Sequence, residues 1–406
     1  MSQSVSSPES AAWELPADRL VGDYSLPQCR PLDDPVAAVA AALVTPLDFP
    51  PLSVCTVAGD QIALAVDRGV PQAAAVVAGV MQTLIEAGVS PANVAVVCAA
   101  ETSEAEYEQL LNLVPDEVRV QLRIETHDPH DRQTLQYLAA SRSNKPIYFN
   151  RTLCDADVVI PIGTMRLESS LGYVGVHGGL FPAFSDDETR RRFAAPSSAD
   201  HRALHRRRHE EVDEAAWLLG VQFTVQVIPG PGDSILQVLC GDANRVAEEG
   251  QRRCQTVWLH SPPSRAGLVV ATIEGGDHQQ TWENIGRALF AALQAVDEQG
   301  AVVLCTNVRQ PPGPAVRRLS APRTSEEILH ALRRDHSADA ITAALLLESR
   351  QRCRVYLMSG LDEETVEDLG LAHVRDQAQV GRLGQQYASC IFLRSAQHAM
   401  VRAAEN

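Results

Sequence analysis

The sequence predicts a two-domain α/β protein in which parallel or mixed sheets are flanked by helices and a cleft separates the domains. Three observations predict this class. The chain has 406 residues, which is more than one hydrophobic core comfortably supports. Its composition, 45% apolar and 21% charged, is that of an ordinary globular protein. Short apolar strand patterns also alternate with helical patterns along most of the chain, which is typical of βαβ units.

Order is expected to begin near Asp34. Residues 1–33 are rich in Ser, Pro and acidic residues without a sustained period, and they predict a partly ordered arm. A helical stretch, Pro35–Leu43, then opens a first predicted domain that covers residues 34–260. The next elements are strand Ile62–Val66, helix Ala73–Ala87 and strand Val94–Cys98. Gly88 lies where a helix C-cap belongs, and two apolar strands joined by a helix favour a parallel, right-handed crossover.

The sequence of the rest of the first domain predicts a mixed sheet. Its expected elements are strand Asp157–Ile162, helix Ala203–Leu219, and a hairpin of Gln222–Ile228 and Ile235–Cys240. A Pro- and Ser-rich break at residues 260–265 separates it from a second predicted domain, residues 266–406. That domain predicts strand Gly267–Ile273, helix Trp282–Gln299, strand Ala301–Cys305, helix Ser325–Arg334, and strands near Arg354–Met358 and Ser389–Phe392.

The charge of the chain restricts its partners. A formal net charge of −16 argues against nucleic acids and anionic membranes, because both are bound mainly through Lys and Arg. No apolar run is long enough to span a bilayer, and the first residues lack a secretory pattern, so we expect a cytoplasmic protein. The nine cysteines contain no CxxC pair and are expected to be buried small hydrophobes rather than a disulfide framework.

Several motifs after Asp34 carry a family resemblance. Residues 41–52 contain ALVTPLDFPPL, residues 125–131 read ETHDPHD, residues 146–151 read PIYFNR, residues 156–160 read ADVVI, residues 171–182 read LGYVGVHGGLFP, and residues 275–289 read GGDHQQTWENIGRAL. In order and spacing they resemble the nickel-dependent lactate racemase (LarA) family over nearly the whole chain after residue 34. The resemblance implies that family's two-domain fold and a nickel-pincer nucleotide, tethered through a lysine, that racemises a 2-hydroxy acid.

The family's site positions are only partly kept. Asp67 matches the acidic residue of the family's Asp-x-Thr-Arg-Pro loop, but Ser103 and Glu168 stand where the family has histidines. Gly178 stands where the cofactor-bearing lysine belongs, and Arg287 replaces another lysine. The resemblance therefore nominates Glu168, His177 and Arg287 as catalytic candidates, and Asp67, Ser103, Gly175, Gly178, Trp282 and Asn284 as ligand- or cofactor-binding candidates, with no metal ligand.

These replacements remove the chemistry that the family needs. A guanidinium stays protonated and cannot act as the covalent nucleophile, so arginine does not substitute for the lysine. Only one of the 35 Lys and Arg residues is a lysine, Lys145, and it lies in the wrong motif. Glu168 could transfer protons only if burial raised its pKa. His177, in the glycine-rich loop, is either a recruited base or a loop histidine that binds backbone carbonyls.

Other signals have simpler interpretations. His201, His205 and His209 recur at helical spacing, which can place metal ligands on one face, but the neighbouring Arg206–Arg208 repel a cation and favour a solvated face. The histidines of the ETHDPHD motif, His127 and His130, are expected at a structural turn. The run Arg190–Arg192 is expected to be a solvated helix surface, with contact to an anionic ligand as the alternative. The glycine-rich loop lacks the dinucleotide spacing, which argues against NAD.

Three functions remain open. The favoured one is a catalytically degenerate family member that binds a small, hydroxy-acid-like ligand in the interdomain cleft. The alternative is a 2-hydroxy-acid racemase or epimerase that uses an untethered nickel-pincer nucleotide. A hydrolytic or lyase reaction that uses Asp67, Glu168 and His177 ranks third, because it needs a nucleophile or metal that the sequence does not show.

Overall fold

Two six-stranded sheets dominate the molecule. We describe them from a computed structural model, which covers residues 15–24, 29–100, 102, 104–196, 201–321, 323–334 and 337–404. Helices flank both sheets, and each sheet has its own hydrophobic clusters. The predicted α/β class, with parallel and mixed sheets, is confirmed.

A short strand, β1 (Leu20–Tyr24), precedes the first lobe, by which we mean residues 29–258. The strands of this lobe are β2 (Ile62–Val66), β3 (Val94–Cys98), β4 (Arg123–Thr126), β5 (Leu135–Ala140), β6 (Pro146–Asn150), β7 (Val158–Thr164), β8 (Phe223–Pro229) and β9 (Ile235–Asp242). Its helices are α1 (Pro35–Val44), α2 (Leu52–Cys55), α3 (Ala73–Glu86), α4 (Glu104–Leu110), α5 (Asp116–Arg119), α6 (Arg151–Asp155), α7 (Asp187–Ala194), α8 (His201–Leu218) and α9 (Ala243–Trp258).

The first sheet is mixed, with strand order β4-β3-β2-β7-β8-β9. All neighbours are parallel except the β8–β9 hairpin, as the sequence predicts. Every residue of β2, β3 and β8 is buried, because helices cover both faces of the sheet. The chain leaves β2 towards β3 and β4 on one side, whereas β7 leads to β8 and β9 on the other. The topological switch point of this sheet therefore lies between β2 and β7.

The second lobe comprises residues 259–404. Its strands are β10 (Leu259–His260), β11 (Ala266–Thr272), β12 (Val296–Cys305), β13 (Arg354–Met358), β14 (Ala372–His373), β15 (Cys390–Leu393) and β16 (Met400–Val401). Its helices are α10 (Trp282–Leu293), α11 (Pro314–Arg317), α12 (Ser325–Arg334), α13 (Ala340–Arg352), α14 (Glu363–Asp368) and α15 (Gln377–Gly384). The sheet order is β1-β15-β11-β12-β13-β14, with all pairs parallel. Its switch point lies between β11 and β15.

The N-terminal strand of the described chain crosses to the second lobe. Strand β1 belongs to the predicted N-terminal arm, yet it forms the edge of the second sheet, with Leu20 opposite Cys390. Near the other end of the chain, β16 pairs with β10, with which the second lobe begins. The ring of Tyr24 stacks on that of His260 with centroids 4.3 Å apart. Nothing in the sequence pattern of residues 1–33 indicated the strand.

Most predicted elements are confirmed to within two residues. At Gly88 the φ angle is +88°, and the N–H of Val89 bonds to the carbonyl of Leu84, so the predicted helix C-cap is present. Two adjoining boundaries are wrong. The helix predicted to reach Gln299 ends at Leu293, where the N–H of Ala295 bonds to the carbonyl of Ala292, and the strand predicted to begin at Ala301 begins at Val296. All nine cysteines are free, and most are buried.

Candidate functional site

The carboxyl ends of the two sheets face each other. Gln279, in the loop after β11, donates from Nε2 to the carbonyl of Gly69, in the loop after β2, at 3.1 Å. Arg166, which follows β7, donates from Nη1 to the carbonyl of Gln397, which follows β15, at 3.3 Å. Ligands of open α/β sheets bind at the carboxyl ends of strands beside switch points. Here two switch points meet, so the candidate site lies between the lobes.

Asp67 is the first residue after β2 and lies at this meeting point. Its Oδ1 accepts a hydrogen bond of 2.8 Å from the N–H of Arg68. A Cβ atom added to Gly179 would lie only 2.7 Å from Oδ2, so the glycine-rich loop packs directly on the carboxyl group. Burial, together with the nearby Glu283 carboxylate, raises the pKa of Asp67 to about 6, against the opposing effects of the Arg68 N–H, Arg166 and Arg287. Asp67 is therefore placed to exchange a proton near neutral pH.

Arg166 is the second charged group of the site, and the sequence analysis did not single it out. Its residue is 8% exposed, and burial lowers the pKa of its guanidinium to about 9, so it is charged at neutral pH. Nη1 also donates to Nδ1 of His398 at 3.2 Å. The pKa of His398 lies well below its usual range because of burial and the charges of Arg166 and Arg287. His398 is therefore neutral.

A hydrogen-bond chain runs from α10 into the first lobe. Arg287 donates to Asn284 Oδ1 at 2.8 Å. Asn284 Nδ2 donates to Oε1 of Gln279 at 3.0 Å, and Gln279 in turn contacts Gly69. Arg287 is also paired with Glu283, whose pKa it lowers. Asn284 and Arg287 thus lie at the candidate site and contact the first lobe through Gln279.

Two other candidates lie apart from this cluster. Trp282 is buried in the core of the second lobe, and its indole Nε1 donates to the carbonyl of Gln310 at 3.1 Å, so its contacts are structural. Glu168 is exposed, and its N–H bonds to Gln251 on α9. The burial that would suit Glu168 to acid–base work is absent. Ser103 lies outside the described residues.

The glycine-rich loop carries a histidine–carboxylate pair. His177 is 9% exposed, and its Nδ1 lies 3.0 Å from Oδ1 of Asp213 on α8. The other carboxylate oxygen of Asp213 binds His209 Nδ1 at 3.0 Å. Burial by itself would raise the pKa of Asp213, but hydrogen bonding from the two histidines holds this pKa far below its usual range. In turn, the hydrogen bond to Asp213 raises the pKa of His209.

The pair leaves His177 Nε2 buried with no hydrogen-bond partner among the described residues. A carboxylate at Nδ1 places the proton of a neutral imidazole there, so Nε2 presents a lone pair. This geometry suits a base. Gly175 permits this conformation of the glycine-rich loop, because φ is +90° at that residue and a Cβ atom there would lie 2.7 Å from His209 Nε2.

The residues of the loop do not fit a tethered nickel-pincer nucleotide. Gly178 offers no amine, and a Cβ atom at this position would lie 3.0 Å from Cγ2 of Val174 and 3.1 Å from the carbonyl of Gly175. The Nζ of Lys145 lies at the β5–β6 hairpin, 3.9 Å from Glu211. Within the part of the chain that the structure covers, no three His, Cys, Asp or Glu side chains are grouped to hold a metal ion.

The other histidines and arginines considered in the sequence analysis have structural contacts. His127 is buried with Nε2 2.8 Å from the carbonyl of Ser185, which agrees with the predicted turn. His205 Nε2 lies 2.7 Å from the carbonyl of Tyr173, so this face of α8 packs on the glycine-rich loop and is not the fully solvated face that we predicted. The side chain of His201 lies outside the described part. Arg191 and Arg192 pair with Asp187 and Glu211, which leaves the ligand-contact alternative without support.

The most important residues that the sequence analysis missed are Arg166, Asp213 and His398. Arg166 had a usable signal, because it lies two residues after a largely apolar strand, β7, where a charged residue is unusual. Asp213 lies four residues after His209, a helical spacing that indicates a side-chain pair. His398 had none, since 232 residues separate it from Arg166.

The fold and site define a two-lobed α/β protein whose sheets meet at their carboxyl ends beneath a glycine-rich loop. Residues 7–202 match the lactate racemase N-terminal domain family. The lactate racemase apoprotein from Thermoanaerobacterium thermosaccharolyticum has a similar structure over 97% of both chains, with a TM-score of 0.77 and 15% identity. A protein from Thermotoga maritima is similar over 91% of this chain and 99% of its own, with a TM-score of 0.67 and 13% identity. The N-terminal part of the chain thus matches the lactate racemase N-terminal domain family by sequence, and the described chain shares the fold of a lactate racemase.

Among proteins with curated descriptions, none matches the sequence. No helix in the described ranges has both the length and the apolar character needed to cross a bilayer.

Proposed function

We propose that this protein is a catalytically degenerate member of the lactate racemase family that binds a small, hydroxy-acid-like ligand between its two lobes. One observation carries the proposal: the loop that should bear the cofactor has Gly178 in place of the lysine, while the neighbouring groups Asp67, Asn284 and Arg287 are held in a connected site. Binding groups are thus present where the tethering group is lost.

The remaining features agree with a small-molecule partner. Buried polar groups at facing switch points are typical of small-ligand sites. A net charge of −16 disfavours nucleic acid and anionic membranes, and we infer a cytoplasmic location. Ligand recognition would use groups from both lobes, so binding would depend on their relative position.

The cofactor part of the proposal is tested by mass spectrometry and a racemisation assay. The protein is co-expressed with cofactor-making enzymes, and the Thermoanaerobacterium racemase prepared in the same cells is the positive control. We expect no covalent mass increase on this chain and no interconversion of D- and L-lactate. Robust racemisation by the unmodified protein would contradict the proposal and favour an untethered cofactor.

Restoring an amine at position 178 distinguishes the effect of the missing lysine from that of the two missing histidines. Gly178→Lys alone should remain inactive, because Ser103 and Glu168 still replace two histidines, and each proton-transfer group contributes at least ~10²-fold to the rate. Only the combined Gly178→Lys, Ser103→His and Glu168→His variant could regain turnover. Activity from Gly178→Lys alone would show that the remaining groups already transfer protons.

The alternative is an active racemase or epimerase in which His177 has been recruited as a base. The observation that favours it is the His177–Asp213 pair with Nε2 open for a proton. If this activity exists, His177→Gln should abolish it by about 10² to 10⁴-fold. His205→Gln is the matched control, because it changes another histidine that contacts the same loop.

A further inference from the structure

Arg166 is a buried cation without a carboxylate partner. Its Nη1 donates to the carbonyl of Gln397 at 3.3 Å and to Nδ1 of His398 at 3.2 Å. Both acceptors are neutral, because His398 is only 3% exposed and remains uncharged. Among the described residues no Asp or Glu forms a salt bridge with Arg166. A guanidinium that is 8% exposed therefore has no carboxylate of the described chain within salt-bridge distance, although Glu283 and Asp67 are close enough to raise its pKa.

Three partly buried arginines are paired with carboxylates. Arg192 binds Glu211, Arg394 lies 2.5 Å from Glu274, and Arg287 binds Glu283. The half-buried Arg208 bonds only to the backbone carbonyls of Arg192 and Ala195. Burying a charge without a carboxylate partner is costly, and Arg166 is more deeply buried than Arg208, which favours a partner from outside the chain.

The surroundings of Arg166 favour an anion. Arg287 contributes a second positive charge close enough to lower the pKa of Arg166. The carboxylate of Glu283 is already engaged by Arg287, and Asp67 is packed against the glycine-rich loop. Arg166 lies beside the switch point of the first sheet, where ligands of this sheet type bind.

We infer that Arg166 binds the carboxylate group of a small organic acid, and that the C-terminal segment around Gln397 and His398 positions it for this. The inference rests on the proposed function and names the residue that recognises the ligand. Because two neutral acceptors hold one end of the planar guanidinium, its orientation is fixed before binding. A planar fork of N–H donors matches the two oxygens of a carboxylate.

Isothermal titration calorimetry tests the inference. The purified full chain is titrated with sodium D-lactate, L-lactate and malonate, with neutral lactamide as the charge control and inorganic phosphate as a second anion. Arg166→Met should weaken carboxylate binding by roughly 10- to 100-fold. Arg245→Met is the matched control, because this arginine is exposed and paired with Asp48 on the surface; it should bind like the wild type.

Thermal unfolding of the same variants distinguishes binding from a structural role. If Arg166 serves the ligand, Arg166→Met should lose the stabilisation that the carboxylate gives the wild type, whatever the unfolding temperature of the ligand-free variant. A lower unfolding temperature with unchanged binding would identify Arg166 as a link between the lobes and overturn the inference alone.

The remaining outcomes are also decisive. Binding of phosphate through Arg166 without binding of any carboxylate would overturn the carboxylate assignment. If the wild type binds none of these anions, the ligand class of the proposed function fails together with the inference. Retained carboxylate binding in Arg166→Met, in contrast, leaves the proposed function intact and removes only the role of Arg166.

Discussion

The carboxyl group of Asp67 should make the stability of this protein depend on pH, and Asp67→Asn should remove that dependence. Burial raises the pKa of Asp67 from 3.8 to about 6 in the folded chain. The folded state therefore holds this proton more tightly than the unfolded state does. The stability that the proton contributes is complete below about pH 4 and is lost as the pH rises through about 6.

The size of the effect follows from the shift. The difference between the pKa of 3.8 in the unfolded chain and about 6 in the folded chain corresponds to about 3 kcal/mol of unfolding free energy at neutral pH. Asparagine has nearly the same shape, and its side-chain oxygen can still accept the hydrogen bond from Arg68. Asp67→Asn should thus match the wild type near pH 4 and exceed its stability by about 3 kcal/mol at pH 7 and above.

Urea unfolding from pH 4 to pH 8 measures this difference at each pH, so the other titrating groups cancel. Asp116→Asn is the control, because the Asp116 side chain is 82% exposed, and its difference from the wild type should not vary with pH. An Asp67→Asn advantage of the same size at pH 4 and pH 8 would refute the reasoning, since the burial of the charge would then not be its source.

Three further predictions concern the loop and the contacts between the lobes. Asp213→Asn should lower the pKa of His209, because the carboxylate that raises it is lost; NMR titration of the imidazole measures this, and an unchanged pKa would contradict the hydrogen bond. Gly175→Ala should cost about 2 kcal/mol or more in urea unfolding, because φ is +90° and the new methyl group would meet His209; Gly59→Ala, which meets no atom within 4 Å, should change stability by less than about 0.5 kcal/mol. Gln279→Ala should destabilise the protein by about 1 kcal/mol, because the carbonyl of Gly69 loses its side-chain donor whereas Asn284 Nδ2 keeps its bond to the backbone carbonyl of residue 279; a neutral effect would show that water replaces the amide.

Local patterns predicted the interior of the fold well. Strands such as β2 and β3 are continuous apolar runs because both faces of the sheet are covered. Five consecutive apolar residues are enough to indicate such a buried strand. The short strand β1 was missed because half-buried edge residues carry no such pattern. The overlong prediction for α10 has a similar cause, since the polar start of β12 continues the helical composition of the residues before it.

Sequence motifs nominated Asp67, Asn284 and Arg287 as site residues, and the structure brings these three residues close together. Arg166 and His398 meet only because the carboxyl ends of two sheets face each other, and no local pattern encodes a contact across 232 residues. The carboxylate partner of His177 lies 36 residues away on α8, a pairing that depends on how the glycine-rich loop folds back onto that helix.

The pairing of β1 with β15 has a consequence during synthesis. Residues 20–24 leave the ribosome before the rest of both sheets, whereas their partner strand, residues 390–393, emerges after it. An unpaired strand edge promotes association with other chains. The backbone groups of residues 20–24 therefore stay without their partner strand while the other strands of both sheets are synthesised, and cutting the gene between the two lobes would leave the second sheet without its first strand.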